Sequence, residues 1–176
     1  MTSVATNTSR SKIKRRLEKI RNHWEDDWCD WGKGKNGEKP VPYDASYSKL
    51  KRAAYRFVAD YDNNALIAVL KKSVRMQANN KTKIKQTAAT DANPFYWALT
   101  AVCQADYELP RSTKSRFAQE LQYAYLHKVP PEFLVGFIYQ IGPSRGLQEK
   151  IDNGQREPWF EKRLAKEAKA AQSPLL

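Results

Sequence analysis

Residues 11–31 read SKIKRRLEKIRNHWEDDWCDW, and the fold class turns on how the apolar side chains are spaced within them. Ile13, Leu17, Ile20, Trp24, Trp28 and Trp31 recur at steps of 4, 3, 4, 4 and 3. Those steps match the turn of an α-helix and place all six on one face. The remaining faces carry Arg10, Lys12, Lys14, Arg15, Arg16, Lys19 and Arg21, with Glu18 the single acid before Trp24. Ser9 or Ser11 is placed to cap this helix and Gly32 to stop it. No stretch of the chain sustains the alternation of a half-buried strand, and no repeat of fixed period is present. The reading is all-α: a compact bundle of about five helices, flanked by an N-terminal basic amphipathic helix and a C-terminal amphipathic helix.

Working outward, residues 1–9 are expected to be a disordered Ser/Thr/Asn tail, 10–31 the amphipathic helix, and 32–45 a flexible loop marked by Gly32, Gly34, Gly37, Pro40 and Pro42. Residues 46–152 form the helical core domain and 153–176 a C-terminal helix and tail. Within the core, periodicity predicts helices over Ser46–Asp60 and Asp62–Gln77, then a polar surface loop from Gln77 to Ala92. Asn93-Pro94 opens a central buried helix, since Asn caps and Pro needs no amide donor at the first helical position. Ser112 or Thr113 opens the next helix, which ends near His127. Pro130-Pro131 turns the chain into Glu132–Ile141, and a short helix surrounds Leu147–Ile151. Glu157–Ala171 supplies the last amphipathic segment.

Thirty-one Lys and Arg stand against 19 Asp and Glu, a formal charge of +12 with pI near 9.7. That exceeds the roughly 2–8 of an ordinary small domain and is the footprint of a polyanion binder. A hydrophobic fraction of 41%, with 5 Trp, 9 Tyr and 6 Phe, excludes global disorder. Two cysteines, Cys29 and Cys103, cannot build a disulfide framework, and the polar start of the chain lacks the apolar core of a signal peptide. A cytoplasmic protein is expected. The longest apolar run, Phe133–Ile141, falls short of the ~18–20 residues that cross a bilayer, so no membrane partner is expected.

The cations are unevenly placed. From Asn63 to Thr90 the chain holds Lys71, Lys72, Arg75, Lys81, Lys83 and Lys85 and no acid. Lysines and arginines there, among Asn, Gln and Thr, suit contact with a phosphate backbone. Arg15 and Arg16 of the first helix form a second candidate patch, and Arg111, Lys114 and Arg116 a third at a helix start, where backbone amides add to anion attraction. Trp24, Trp28 and Trp31, with Trp159 and Phe160, are a packing stripe or the candidate protein-docking surface. The acids Glu25, Asp26, Asp27 and Asp30 read as a solvated face or as partners of the chain's own lysines. Residues 111–141 outline a helix-turn-helix. The Pro130-Pro131 turn and the apolar second helix are wrong for reading base edges, so sequence-specific readout is not expected.

Chemistry beyond binding finds little support. His23, Cys29, Cys103 and His127 have no zinc-site spacing, and Gly32–Gly37 lacks the Lys-Ser/Thr of a nucleotide-binding loop. Gly142–Gly146 reads as a helix-closing turn. No catalytic residue, metal, cofactor or small-molecule substrate is expected. The expected function is a non-catalytic nucleic-acid-binding protein that contacts the phosphate backbone of DNA or RNA with little sequence specificity, as a small subunit of a nucleoprotein assembly. The alternative is a helical protein–protein interaction module, an adaptor or an inhibitor or regulator of a partner protein, with no nucleic-acid role.

Overall fold

The computed structural model describes residues 3–29, 41, 43–61, 63–77, 88–103, 109–142 and 146–162. The fold is all-α. The described residues form α1 (Ser3–Cys29), α2 (Ser46–Ala59), α3 (Asn63–Gln77), α4 (Ala88–Asp91), α5 (Pro94–Val102), α6 (Arg111–Leu126), α7 (Leu134–Ile141) and α8 (Leu147–Asp152), then a helical turn at 158–162. Among the described residues the bundle therefore comprises eight helices, a finer division than the expected bundle of about five with two flanking arms. None is long and apolar enough to cross a membrane.

At the centre lies α5, which packs against α1, α2, α3, α4 and α6. Its sequence PFYWALTAV is apolar on nearly every side, as suits a helix surrounded by others, and Phe95, Tyr96, Trp97, Ala98 and Leu99 are all buried. The Asn93 carboxamide oxygen accepts from the amides of Phe95 (2.9 Å) and Tyr96 (3.1 Å), and its nitrogen donates to the Ala118 carbonyl at 3.2 Å. One side chain thus starts α5 and ties it to α6. A cap of this kind contributes about 1 kcal/mol. Each fully buried large side chain, such as Phe57, Leu66, Leu70 or Leu121, adds about 1.5–3 kcal/mol relative to exposure.

Side chains from both ends of the chain enter this one core. Ile13, Leu17 and Trp24 of α1 and Phe160 beyond α8 belong to the same buried cluster as α5. Helix α1 runs antiparallel to α2. Arg16 pairs with Asp60 at one end of the seam (2.6 Å), and Trp24 stacks over Tyr47 at the other, with 6.0 Å between ring centroids.

Three local expectations change. Helix α1 begins at Ser3, so it includes most of the segment read as a disordered tail, and neither Ser9 nor Ser11 is its cap. Part of the expected loop from Gln77 to Ala92 is α4. Helix α6 starts at Arg111 behind Pro110, ahead of Ser112 and Thr113, because proline's fixed φ already suits the entry to a helix. The loop read at 32–45 lies largely outside the described residues.

Candidate functional site

Helix α1 presents cations on two flanks because its buried stripe is narrow. With Ile13, Leu17 and Trp24 facing the core, helical spacing puts Lys12, Arg16 and Lys19 on the flank toward α2 and Lys14 and Arg21 on the flank toward α3. Arg15 lies between them and points away from the core. The contacts agree with that placement. Arg16 reaches Asp60 beside α2, while Lys14, Glu18 and Arg21 line a cleft of about 280 Å3 with Ser73 and Met76 of α3. Arg21 also donates to the Ala101 carbonyl at 2.6 Å, which fixes its direction.

The next helix continues the surface. Leu50, Ala54 and Phe57 of α2 face the core, so Lys49, Arg52 and Arg56, at steps of three and four, form one stripe away from it, with Lys49 and Arg56 exposed and Arg52 half-buried between them. Because α2 is antiparallel to α1, this stripe and the Lys12–Lys19 flank lie on the same side of the seam. On the far side of α1, Lys72 and Arg75 of α3 are exposed. The outer faces of α3, α1 and α2 thus make one broad cationic surface. Lys12, Lys14, Arg15, Lys19, Arg56, Lys72 and Arg75 pair with no acid among the described residues. Among the described residues Asp60, held by Arg16, and Glu18 lie within it, while Glu25 and Asp26 are exposed nearer the end of α1 and Asp44 is exposed ahead of α2.

The sequence-selected cations divide. Arg15, Lys72 and Arg75 join this surface, as does Arg16, whose guanidinium also lies 5.5 Å from the Tyr61 ring centroid. Lys71 does not. Its ammonium contacts Asp91 at 2.7 Å and faces Trp97, because α4 folds back the first acid beyond the acid-free run. Lys114 is 3% exposed and unfit for an external ligand, a correction to its selection as a contact. Arg116 lies near Glu120 and over Phe117, away from the α1–α3 surface, and Arg111 is exposed at the start of α6. Lys81, Lys83 and Lys85 fall outside the described residues. Lys49, Arg52 and Arg56 were missed by attending to acid-free runs. Their three-and-four spacing opposite Leu50, Ala54 and Phe57 was the available signal.

The selected docking residues also divide. Trp24 and Phe160 are buried core, so neither presents a docking surface. Phe160 packs edge-on against His127 and Phe137. Trp159 stays 36% exposed. Trp31 and the side chain of Trp28 lie outside the described residues.

His127 is held by two backbone groups. A carbonyl only accepts and an amide N–H only donates, so Nδ1–H donates to the Tyr123 carbonyl (2.8 Å) and Nε2 accepts from the Glu157 amide (3.0 Å). Both nitrogens are used in the neutral ring, and burial holds its pKa below the ordinary histidine value. Nearby, Tyr123 and Lys150 both donate to the Glu157 carboxylate at 2.8 Å. Burial disfavours that charge, yet these two partners keep the carboxyl below its usual range, while burial first and the carboxylate second raise the Tyr123 hydroxyl above its own. The arrangement fastens residues 155–162 to α6 and α8. Cys103 is buried, and among the described residues no group of three His, Cys, Asp or Glu side chains is placed to hold a metal ion.

Comparison with protein families, curated proteins and solved structures gives no match to this chain.

Proposed function

We propose that this protein binds nucleic acid without catalysis, by laying the phosphate backbone across the outer faces of α1, α2 and α3. The observation that supports this is the joining of three helices' cations into one surface, on which Lys12, Lys14, Arg15, Lys19, Arg56, Lys72 and Arg75 pair with no acid among the described residues. An ordinary solvated helix face intersperses both signs. Here Lys12, Arg15 and Lys19 of α1 adjoin Lys49, Arg52 and Arg56 of α2, with Lys72 and Arg75 beyond. Ammonium and guanidinium groups on regular helices suit evenly spaced phosphates, and contacts to phosphate carry no base code.

Affinity should therefore fall steeply with salt and vary little with sequence. Titrating a labelled mixed-sequence oligonucleotide at increasing sodium chloride measures both. Failure to bind DNA or RNA of any sequence at low ionic strength would overturn the reading.

A further inference from the structure

We propose that the groove beside α7 receives an unstacked base, so that the preferred ligand is a single-stranded nucleic acid. This inference rests on the nucleic-acid function proposed above and specifies its ligand.

A cavity of about 430 Å3 opens between the residues leading into α2, the turn after α6, α7 and the segment after α8. Its walls include Tyr43, Phe133 and Trp159, which are 41%, 52% and 36% exposed. Three large aromatic side chains open to solvent around one cavity suit the flat face that every base offers. Two of them are held in place. The Arg52 guanidinium stacks 3.7 Å from the Tyr43 ring centroid and donates to the Tyr43 carbonyl at 3.0 Å, and Trp159 packs against Phe137 and Phe160. Gly136 also lines the cavity, and a methyl group built on it would meet nothing within 4 Å, so the space above α7 is open there.

The choice of occupant follows from continuity of charge. Arg52 is a rung of the cationic stripe on α2 and at the same time the group that positions Tyr43. A strand whose phosphates follow Lys49, Arg52 and Arg56 therefore arrives at the groove with a base to insert. Exposed Lys128 is in the groove lining, as are the Glu132 carboxylate, an acceptor for a base edge, and Gln140, which offers an amide. An apolar peptide would fill the aromatic walls but gain nothing from the stripe. A duplex keeps its bases stacked and cannot enter.

The test compares three fluorescein-labelled probes of equal length: oligo-dT, an abasic strand with the same phosphates, and a duplex. The intact protein should bind oligo-dT about tenfold or more tighter than the abasic strand, the scale of one stacked base. The double variant Tyr43→Ala/Phe133→Ala should lose that preference and keep its affinity for the abasic strand. Gly136→Leu, which fills the groove and keeps both rings, should do the same, with circular dichroism confirming that each variant is folded. Equal affinity of the intact protein for oligo-dT and the abasic strand would overturn the inference and leave phosphate contact standing. A preference that survives both variants would also overturn it. No binding to any of the three probes would overturn the proposed function itself.

Discussion

Lys49 and Lys51 stand two residues apart on α2 and belong to different worlds. Lys51 turns inward, where its ammonium meets Glu120 on α6 at 2.6 Å and lies 4.0 Å from the Phe117 ring centroid. Lys49 faces out with Arg56 toward solvent and α1. Burial lowers the Lys51 pKa, and Glu120 offsets part of that effect by favouring the charged form. The comparison separates two uses of the same residue type. Inside the α2–α6 seam a cation is matched by a carboxylate and serves the fold. On the α1–α2 face cations outnumber acids among the described residues, and the proposed contact with a polyanion rests on that excess.

The largest expected effect breaks the inner half of this contrast. Glu120→Ala leaves the Lys51 charge enclosed without its partner and should cost about 3–5 kcal/mol in urea denaturation. Replacing both residues, as Lys51→Met/Glu120→Leu, should recover much of that loss, because a packed apolar pair avoids desolvating two ions. A single variant as stable as the parent would mean that the pair does not hold the seam.

A smaller effect comes from the segment beyond α8. The fold accepts only the neutral His127 ring, because a protonated Nε2 would oppose the Glu157 amide with donor against donor. Unfolding therefore takes up a proton. The stability His127 contributes is complete above its ordinary pKa of about 6.5 and declines as pH falls through that value toward the lowered one. Glu157, held below the ordinary carboxylate value, contributes at the same time and fails only at lower pH. Urea midpoints should thus drop between about pH 7.5 and about pH 5.5, before the carboxylates titrate. A flat profile across that window would contradict the assigned ring state.

How far the sequence foretold this depends on which force set each element. The Ile13–Leu17–Ile20–Trp24 stripe, the Asn93-Pro94 start and the apolar α5 were legible because local periodicity and capping agree with the tertiary outcome. Helix α4 was not, since AATD has no periodicity of its own. The site was half legible. Arg15, Lys72 and Arg75 could be selected as cations, but Lys114 could not be seen to be buried, nor Lys71 to meet Asp91, because those fates depend on how helices cross. The Lys49–Arg52–Arg56 stripe was present in the spacing. It gains meaning only once α1 is known to lie antiparallel beside α2.

The smallest effect on stability belongs to the outer face. Lys12→Ala/Arg15→Ala/Lys19→Ala removes three exposed cations and should change stability by only about 0.5 kcal/mol or less per site. Its effect on binding is the most direct test of the phosphate surface. On a single-stranded probe, the plot of log affinity against log salt should become shallower by about 2, near 0.7 for each phosphate that the variant no longer neutralises. A variant that stays folded and keeps the parent's slope would contradict the assignment of the α1–α2 face as the surface that meets the backbone.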